Sequence, residues 1–254
     1  MADDEKQFRR LRSYNIIMGF FHAVQGIVVV ALATDFALPV TATFLEGPPG
    51  TPPPAPTTLF EISVGWGVAA FLFLSAIAHF TISMPGVFPW YKKNLLKNRN
   101  YARWMEYSLS SSIMVVLIAL LPGITDIAAL IAIFVVNASM ILFGSLMEHY
   151  EDPGKPNWMP FIFGCIAGIA PWLGIAIYMW SPGTTANPPA FVYAIFVSLF
   201  IFFNSFALNQ VLQYKKVGPW RNYLFGESVY ILLSLVAKSL LAWQVFAGTL
   251  VPPA

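Results

Sequence analysis

Seven long apolar segments constrain this chain more than any other feature of its sequence. They run approximately Ile16–Leu38, Ile62–Met84, Tyr101–Leu121, Ile124–Met147, Met159–Trp180, Phe191–Leu212 and Ser228–Val251. A transmembrane helix needs roughly 20 mostly apolar residues, and each segment meets or approaches that length. Only 10% of the chain is charged, against about 25% in a soluble domain. Backbone polar groups in lipid must bond within their own segment, so runs of this length are helices. Strands of an outer-membrane barrel would be shorter and would alternate in polarity. Pro and Gly punctuate the gaps at Pro85-Gly86, Pro122-Gly123, Pro153-Gly154, Pro182-Gly183 and Gly218-Pro219. The expected fold is an all-α membrane protein, a seven-transmembrane helix bundle forming one domain over residues 1–254.

The charges orient the bundle. Lys6, Arg9, Arg10 and Arg12 lie in the polar N-terminal tail, and Lys92, Lys93, Lys97, Arg99 and Arg103 in the second loop region. Lys155 lies in the fourth loop, and Lys215, Lys216 and Arg221 in the sixth. The first, third and fifth loops and the C-terminal tail carry none. Thirteen of the 14 basic residues therefore share one side, which the positive-inside rule makes cytoplasmic. This predicts a cell-membrane protein with the N-terminus inside and the C-terminus outside. The apolar run from Ile16 to Ala33 exceeds the 7–15 residues of a signal-peptide core and reads as a span. The first loop, Pro39 to Leu59, is the longest. Its β-prone "VTATFLEG" precedes the Pro-rich "PPGTPPPAP", a pattern suited to a β-hairpin or an extended arm. The one cysteine, Cys165, excludes an internal disulfide and reads as a small packing residue.

The fourteenth basic residue is Lys238, in "VYILLSLVAKSLLAWQVF". About ten apolar-dominated residues flank it on each side, which places it near the bilayer centre. A lysine there costs at least about 2.5–3.5 kcal/mol. Its stem reaches about 6 Å, while the nearest interface is some 15 Å away along the helix, so snorkelling gives no relief. Such a lysine needs a partner, a hydrated cavity or a covalent modification. Glu106, in "ARWMEYSLSSSIM", is the carboxylate placed well inside an apolar run, whereas Asp35, Asp126, Glu148 and Glu227 stand near span ends. Helix rise puts Glu106 about 22 Å, and Lys238 about 16 Å, from the outer ends of their spans, a gap that the lysine stem and helix tilt can close. Opposite charges in low dielectric offset each other's desolvation.

Other polar residues share these depths: His22 and Gln25 in span one, Ser75 and His79 in span two, Ser110, Ser111 and Ser112 in span three, Asn137 in span four and Ser234 in span seven. Ser75 and His79, at i and i+4, face the same way. Buried serines often bond their own helix backbone. Two of the chain's three histidines lie in spans, which favours a polar interior cavity. No Cys/His cluster with ligand spacing accompanies them, so no metal site is expected. No nucleophile–base pair appears either, and an enzyme is not expected.

At these residues the sequence resembles the heliorhodopsins. The likeness covers nearly the whole chain and rests on "FALPVTATFLEGPPGT", "EYSLSSSIMVVLIA", "NASMILFG", "FGCIAGIAPW", "FFNSFAL" and "SLVAKSLLAWQ". It implies all-trans retinal held as a covalent Schiff base on Lys238, with Glu106 as counterion, His22, His79 and Ser234 near the Schiff base, and a homodimer. It also implies a polyene slot walled by Met140, Gly144, Trp172, Phe203, Phe206 and Trp243; Asn137, read from its place in span four, could join the polar end of the site. Ordinary microbial rhodopsins place the N-terminus outside, so the loop charges independently favour this branch. Gly164 and Gly168 form a small-xxx-small face that suits close helix approach in a dimer.

The function this reading favours is light sensing without net ion transport, and the sequence names no downstream signalling partner. Two rivals remain open on the sequence: a light-driven ion pump or channel, and a retinal-free transporter that uses Lys238 and Glu106 as a coupling pair. Proton pumps commonly relay through a second intramembrane carboxylate, and no ionisable chain to either surface is visible from span seven.

Overall fold

The computed structural model describes residues 2–180 and 187–250. The Pro182-Gly183 turn and Val251 lie outside the described residues. Among the described residues, eight α-helices run in chain order: α1 (Ala2–Leu32), α2 (Val64–Ser83), α3 (Phe88–Leu95), α4 (Tyr101–Leu120), α5 (Ile127–Tyr150), α6 (Met159–Met179), α7 (Ala190–Tyr214) and α8 (Tyr223–Leu250). Two strands, β1 (Ala37–Ala42) and β2 (Thr57–Ser63), separate α1 from α2, and a 3-10 turn over Gly218–Arg221 precedes α8. Six of the helices (α1, α2, α5, α6, α7 and α8) are long and apolar enough to cross a membrane. The outer surface of the bundle agrees: Ile17, Phe20, Phe21, Val24 and Ile27 on α1, and Ile166, Ile169, Leu173 and Ile177 on α6, are exposed. Apolar surface on this scale is stable only against lipid or another protein.

The other long helix, α4, is diluted by Arg103, Glu106 and its serines. Those polar residues are turned inwards: Arg103, Ser108, Ser110 and Ser112 are buried. The helix packs on α2 and α5, and α1 packs on α2 and α8. Helices α5 and α6 pack together, as do α7 and α8. Backbone contact between α6 and α7 is sparse by comparison, and rings fill the space. Trp172 meets Phe196, Phe200 and Phe203 edge-on, at 5.4, 5.3 and 5.4 Å between centroids.

Several element boundaries depart from the sequence reading, each for a local reason. The first span was expected to reach Leu38. Helix α1 stops at Leu32, and Leu38 lies in β1, where Pro39 biases the residue before it towards extended backbone. The expected tail before Ile16 is instead helical. Phe8 and Leu11, one turn apart, bury a stripe against Tyr91 and Leu95 of α3, and Lys92 pairs with Glu5. Span two starts at Val64 rather than Ile62, since Ile62 belongs to β2. Helix α5 begins at Ile127, where the Asp126 carboxylate accepts from the backbone N–H groups of Ala128 and Ala129. Gly123, at φ 101, makes the turn before it. Helix α8 begins at Tyr223 rather than Ser228, with the Asn222 side chain accepting from Leu224 N–H. That shift makes Glu227 a residue of the helix body.

The first loop does form a hairpin. Strands β1 and β2 pair antiparallel, Ala37 opposite Ser63, with an irregularity after Val40. Both strands are edges, which is where Pro39 is tolerated. The hairpin docks on the α4–α5 turn through Thr41, whose N–H donates to Thr125 O at 2.8 Å and whose hydroxyl lies 3.0 Å from that of Thr125.

At the opposite, basic end, α4, α5 and α8 converge on a second buried charge cluster. The Arg103 guanidinium contacts Glu148 at 2.6 Å and also pairs with Glu227. Asn100 donates to both carboxylates, through its backbone N–H to Glu148 (2.7 Å) and its side chain to Glu227 (2.6 Å). Trp104 Nε1–H and Tyr223 O–H complete the shell of Glu148 at 2.6 and 2.8 Å. Arg103 also stacks between the rings of Trp104 and Tyr230. Arg103 was expected to be a loop cation, and the two glutamates to stand near span ends; all three are buried. Arg103→Met would leave two carboxylates facing each other without a cation. Breaking a buried pair costs about 3–5 kcal/mol, so the apparent melting temperature should fall by on the order of 10 °C. Adding Glu148→Gln and Glu227→Gln should recover part of the loss. An unchanged melting temperature in the single variant would show that the cluster does not hold these helices.

Candidate functional site

Lys238 projects from the middle of α8 and is 3% exposed. Its Nζ donates to Glu106 Oε1 at 2.9 Å and to Ser234 Oγ, one turn earlier on the same helix, at 2.9 Å. The ring of Tyr107 lies 5.1 Å from the ammonium. The carboxylate has a second donor: Ser75 O–H reaches Glu106 Oε1 at 2.6 Å. Three helices, α2, α4 and α8, thus meet at one ion pair, and the pairing expected from the sequence is present.

The interior divides at this pair. On the α1–α2 side it is polar. His79 Nδ1 lies 2.7 Å from Asn15 Oδ1, and the rings of His22 and His79 stack with centroids 5.6 Å apart. Both ring nitrogens of His22, and Ser110 Oγ, are buried without a partner. Buried polar atoms in that state are where ordered water is expected. A small cavity of about 30 Å³ lies against Ser75, His79, Glu106, Asn15, Arg103 and Glu227. It joins the lysine–glutamate site to the buried cluster at the basic end.

On the α5–α7 side the interior is apolar and open. A cavity of about 380 Å³ lies among α4, α5, α6, α7 and α8, walled by Trp104, Tyr107, Met140, Gly144, Trp172, Phe203 and Phe206. This is within the range of small-molecule sites. A narrower space of about 50 Å³ continues it to Lys238 and Ser234, sharing Tyr107, Met140, Ile141, Phe203 and Phe206 with the larger one. The result is a long slot with aromatic walls and one polar end that carries an amine. Small residues keep the slot wide. A Cβ added at Gly144 would fall 2.5 Å from the Trp104 ring, and that ring is held by Glu148.

Of the residues singled out from the sequence, Lys238, Glu106, Ser234, His22 and His79 converge on the polar end. Met140, Gly144, Trp172, Phe203 and Phe206 line the slot. Asn137 is nearby but occupied, its amide donating to Ser111 and Ser112 at 2.8 and 3.0 Å. Trp243 does not join them. It is exposed, and its Nε1–H donates to Gln25 on α1 at 3.1 Å. Five residues beyond Lys238 is about 140° around the helix, which turns Trp243 outwards. The small face of Gly164 and Gly168 is also used differently. It packs on Met140 and Phe143 of α5 within the bundle, so it is no free dimer surface. Cys165 lines the slot rather than filling the core. Tyr107, Trp104 and Asn15 were missed. Arg103, Glu106 and Tyr107 stand at i, i+3 and i+4, the spacing that shares a helix face, and this would have marked two of the interior residues beside Glu106.

A comparison with curated protein sequences finds no match. Among solved structures, the chain is similar to a light-driven proton pump from Leptosphaeria maculans, with a TM-score of 0.62 and 14% identity over 94% of this chain and 96% of that one. It is also similar to the transmembrane domain and linker region of a rhodopsin phosphodiesterase from Salpingoeca rosetta, with a TM-score of 0.65 and 12% identity over 95% and 80% of the two chains. At these identities the likeness is one of fold. The profile of the Heliorhodopsin family matches residues 11–250. With that match spanning nearly the whole chain, this multi-pass membrane protein belongs to the heliorhodopsin family.

Proposed function

We propose that the protein is a light-sensing photoreceptor that carries all-trans retinal on Lys238 and moves no net charge across the membrane. The observation that carries the reading is the buried Lys238 amine at the polar end of an aromatic slot, within 2.9 Å of a carboxylate. The residues fit the group: an amine for a covalent Schiff base, an anion to hold that nitrogen's charge, and an apolar channel shaped for a polyene. Bound retinal supplies visible absorption and isomerisation on illumination. Glu106 keeps the attached nitrogen charged, Ser75 and Ser234 orient the pair, and Phe203, Phe206, Trp172 and Met140 confine the chain of the chromophore. His22 and His79, on the polar side, receive and return a proton inside the protein.

The topology behind this function has seven spans, with α4 as the one whose polar residues face inwards. The basic residues put the N-terminus in the cytoplasm and the C-terminus outside, in the cell membrane. The unit is a homodimer. With the α6 glycines used internally, exposed Phe44, Leu45 and Phe60 on the hairpin supply contact surface. Chemical crosslinking in native-like membranes should trap a dimer; recovery of monomer alone rejects it.

Absence of net transport is supported by an asymmetry. Towards the basic end, polar residues link Glu106 with Glu227. The sequence reading set Glu106 apart as the deep carboxylate; Glu148 and Glu227 are buried too, but both are tied to Arg103. Towards the hairpin end, Ser110, Ser111, Ser112 and Asn137 follow Glu106 for about one to two turns, and the core past them holds Val115, Ile118, Leu241 and Ala242. Protons need a chain of donors and acceptors, and those aliphatic side chains provide none. Oriented vesicles under voltage clamp should show no sustained photocurrent on illumination. A sustained current that Lys238→Ala abolishes would establish a pump or channel instead.

Colour tests the attachment itself. Protein purified with retinal should absorb visible light and bleach with hydroxylamine. Lys238→Ala at equal yield should be colourless. Glu106→Gln leaves the attached nitrogen without its anion in low dielectric, which favours its neutral form, and the visible band should shift or vanish near neutral pH. A coloured Lys238→Ala protein overturns the attachment, and an unchanged spectrum in Glu106→Gln overturns the counterion. A wild-type protein that stays colourless with retinal would favour a retinal-free transporter.

A further inference from the structure

The basic end carries an open groove of about 360 Å³ between the first turns of α1 and α8, far from the lysine site. Gln7, Arg10 and Tyr14 line it from α1, at i, i+3 and i+7 on one helix face, and Asn222, Leu224 and Phe225 line it from the start of α8. We propose that this groove binds one anionic phospholipid, its phosphate on Arg10 and its upper acyl chain against Tyr14, Leu224 and Phe225.

Three features converge on that occupant. The first is charge. Arg10 is exposed and forms no ion pair among the described residues. A guanidinium beside free amide donors matches a phosphate oxygen pair. Asn222 donates to Gln7 Oε1 at 3.2 Å. That bond fixes the Gln7 amide with its own N–H groups unspent, next to Arg10 on the same face. The second is depth. From Gln7 to Tyr14 the groove follows about 10 Å of helix, and each headgroup layer of a bilayer is about 5–7 Å thick. Its upper end is polar, and its lower end meets the apolar run that starts at Ile16. A ligand lying along it must be anionic at one end and hydrocarbon at the other. The third is the wall. Phe225 is 38% exposed and is braced edge-on by Trp220 at 5.1 Å, so it presents a fixed apolar surface outward. A free phosphate would use Arg10 and leave this wall wet.

Native mass spectrometry tests the site. The full-length protein is reconstituted in nanodiscs of mixed phosphatidylcholine and phosphatidylglycerol, extracted, and scored for retained lipid. The wild type should keep phosphatidylglycerol in preference to phosphatidylcholine. Arg10→Gln should lower that retention about fivefold, the worth of one basic side chain at an anionic surface. Arg9→Gln, outside the groove lining, should leave it unchanged. Phe225→Glu, an exposed substitution that puts an anion at the wall, should lower it as well, so the test survives poor folding of the Arg10 variant. Size-exclusion profiles monitor folding independently of any pigment. Equal retention of the two lipids, equal effects of the Arg9 and Arg10 substitutions, or displacement of the lipid by inorganic phosphate would each overturn the proposal.

Discussion

A lysine ammonium held in the middle of an apolar helix bundle is the constraint from which the interior of this protein follows. Isolated there, Lys238 would cost several kilocalories per mole. It is offset by one carboxylate at 2.9 Å and one hydroxyl at the same distance. A carboxylate brought to this depth brings its own desolvation, so Glu106 takes Ser75 as a second donor. A pair of this kind contributes little net stability, because attraction and desolvation nearly cancel. Its effect is on arrangement. It requires α2, α4 and α8 to meet at one depth, and it sorts the remaining interior into a polar half beside α1 and α2 and an aromatic half beside α5, α6 and α7.

The second buried cluster answers the same problem with a different solution. Arg103 faces two carboxylates, and every carboxylate oxygen of Glu148 and Glu227 finds a donor among Arg103, Asn100, Trp104 and Tyr223. Saturation of this kind locks side chains in place, since moving any one orphans another. Unpartnered polar atoms remain at both sites: the His22 ring nitrogens and Ser110 Oγ near the lysine, and Arg103 Nε and the Tyr230 hydroxyl in the second cluster. A small cavity lies between the two sites.

Much of this was legible in the sequence because charge inside an apolar run has few explanations. Lys238 and Glu106 could be paired from depth alone, and seven apolar runs implied the bundle. The Arg103 cluster was not legible. Its members stand near the ends of apolar runs, where a charge is ordinarily solvated, and only the convergence of α4, α5 and α8 removes them from water. The α1 extension was missed for the converse reason. Residues 5–12 are rich in charge, and their apolar stripe, Phe8 and Leu11, is too short to read without α3 beside it. Trp243 was placed in the slot by the resemblance, while its position five residues beyond Lys238 turns it outwards on the helix. Gly164 and Gly168 can be read as an interface, yet whether that interface lies within the bundle or between copies is settled by the side chains of α5.

The direction in which the interior is polar decides what the site can do with a proton. Protons move over donors and acceptors spaced at hydrogen-bond distance. From Glu106, such groups lead to Ser75, His79 and Asn15, and onwards to the edge of the Arg103 cluster. Beyond Lys238 towards the hairpin, the core is aliphatic and aromatic, with Leu72, Val115 and Leu241 fully buried. On that side Ser110, Ser111, Ser112 and Asn137 carry polar groups for only about one to two turns past Glu106 before the aliphatic core begins. At the far edge of the polar side, Arg103, Asn100, Trp104 and Tyr223 already engage the oxygens of Glu148 and Glu227, so the polar interior ends on two carboxylates whose acceptor positions are occupied.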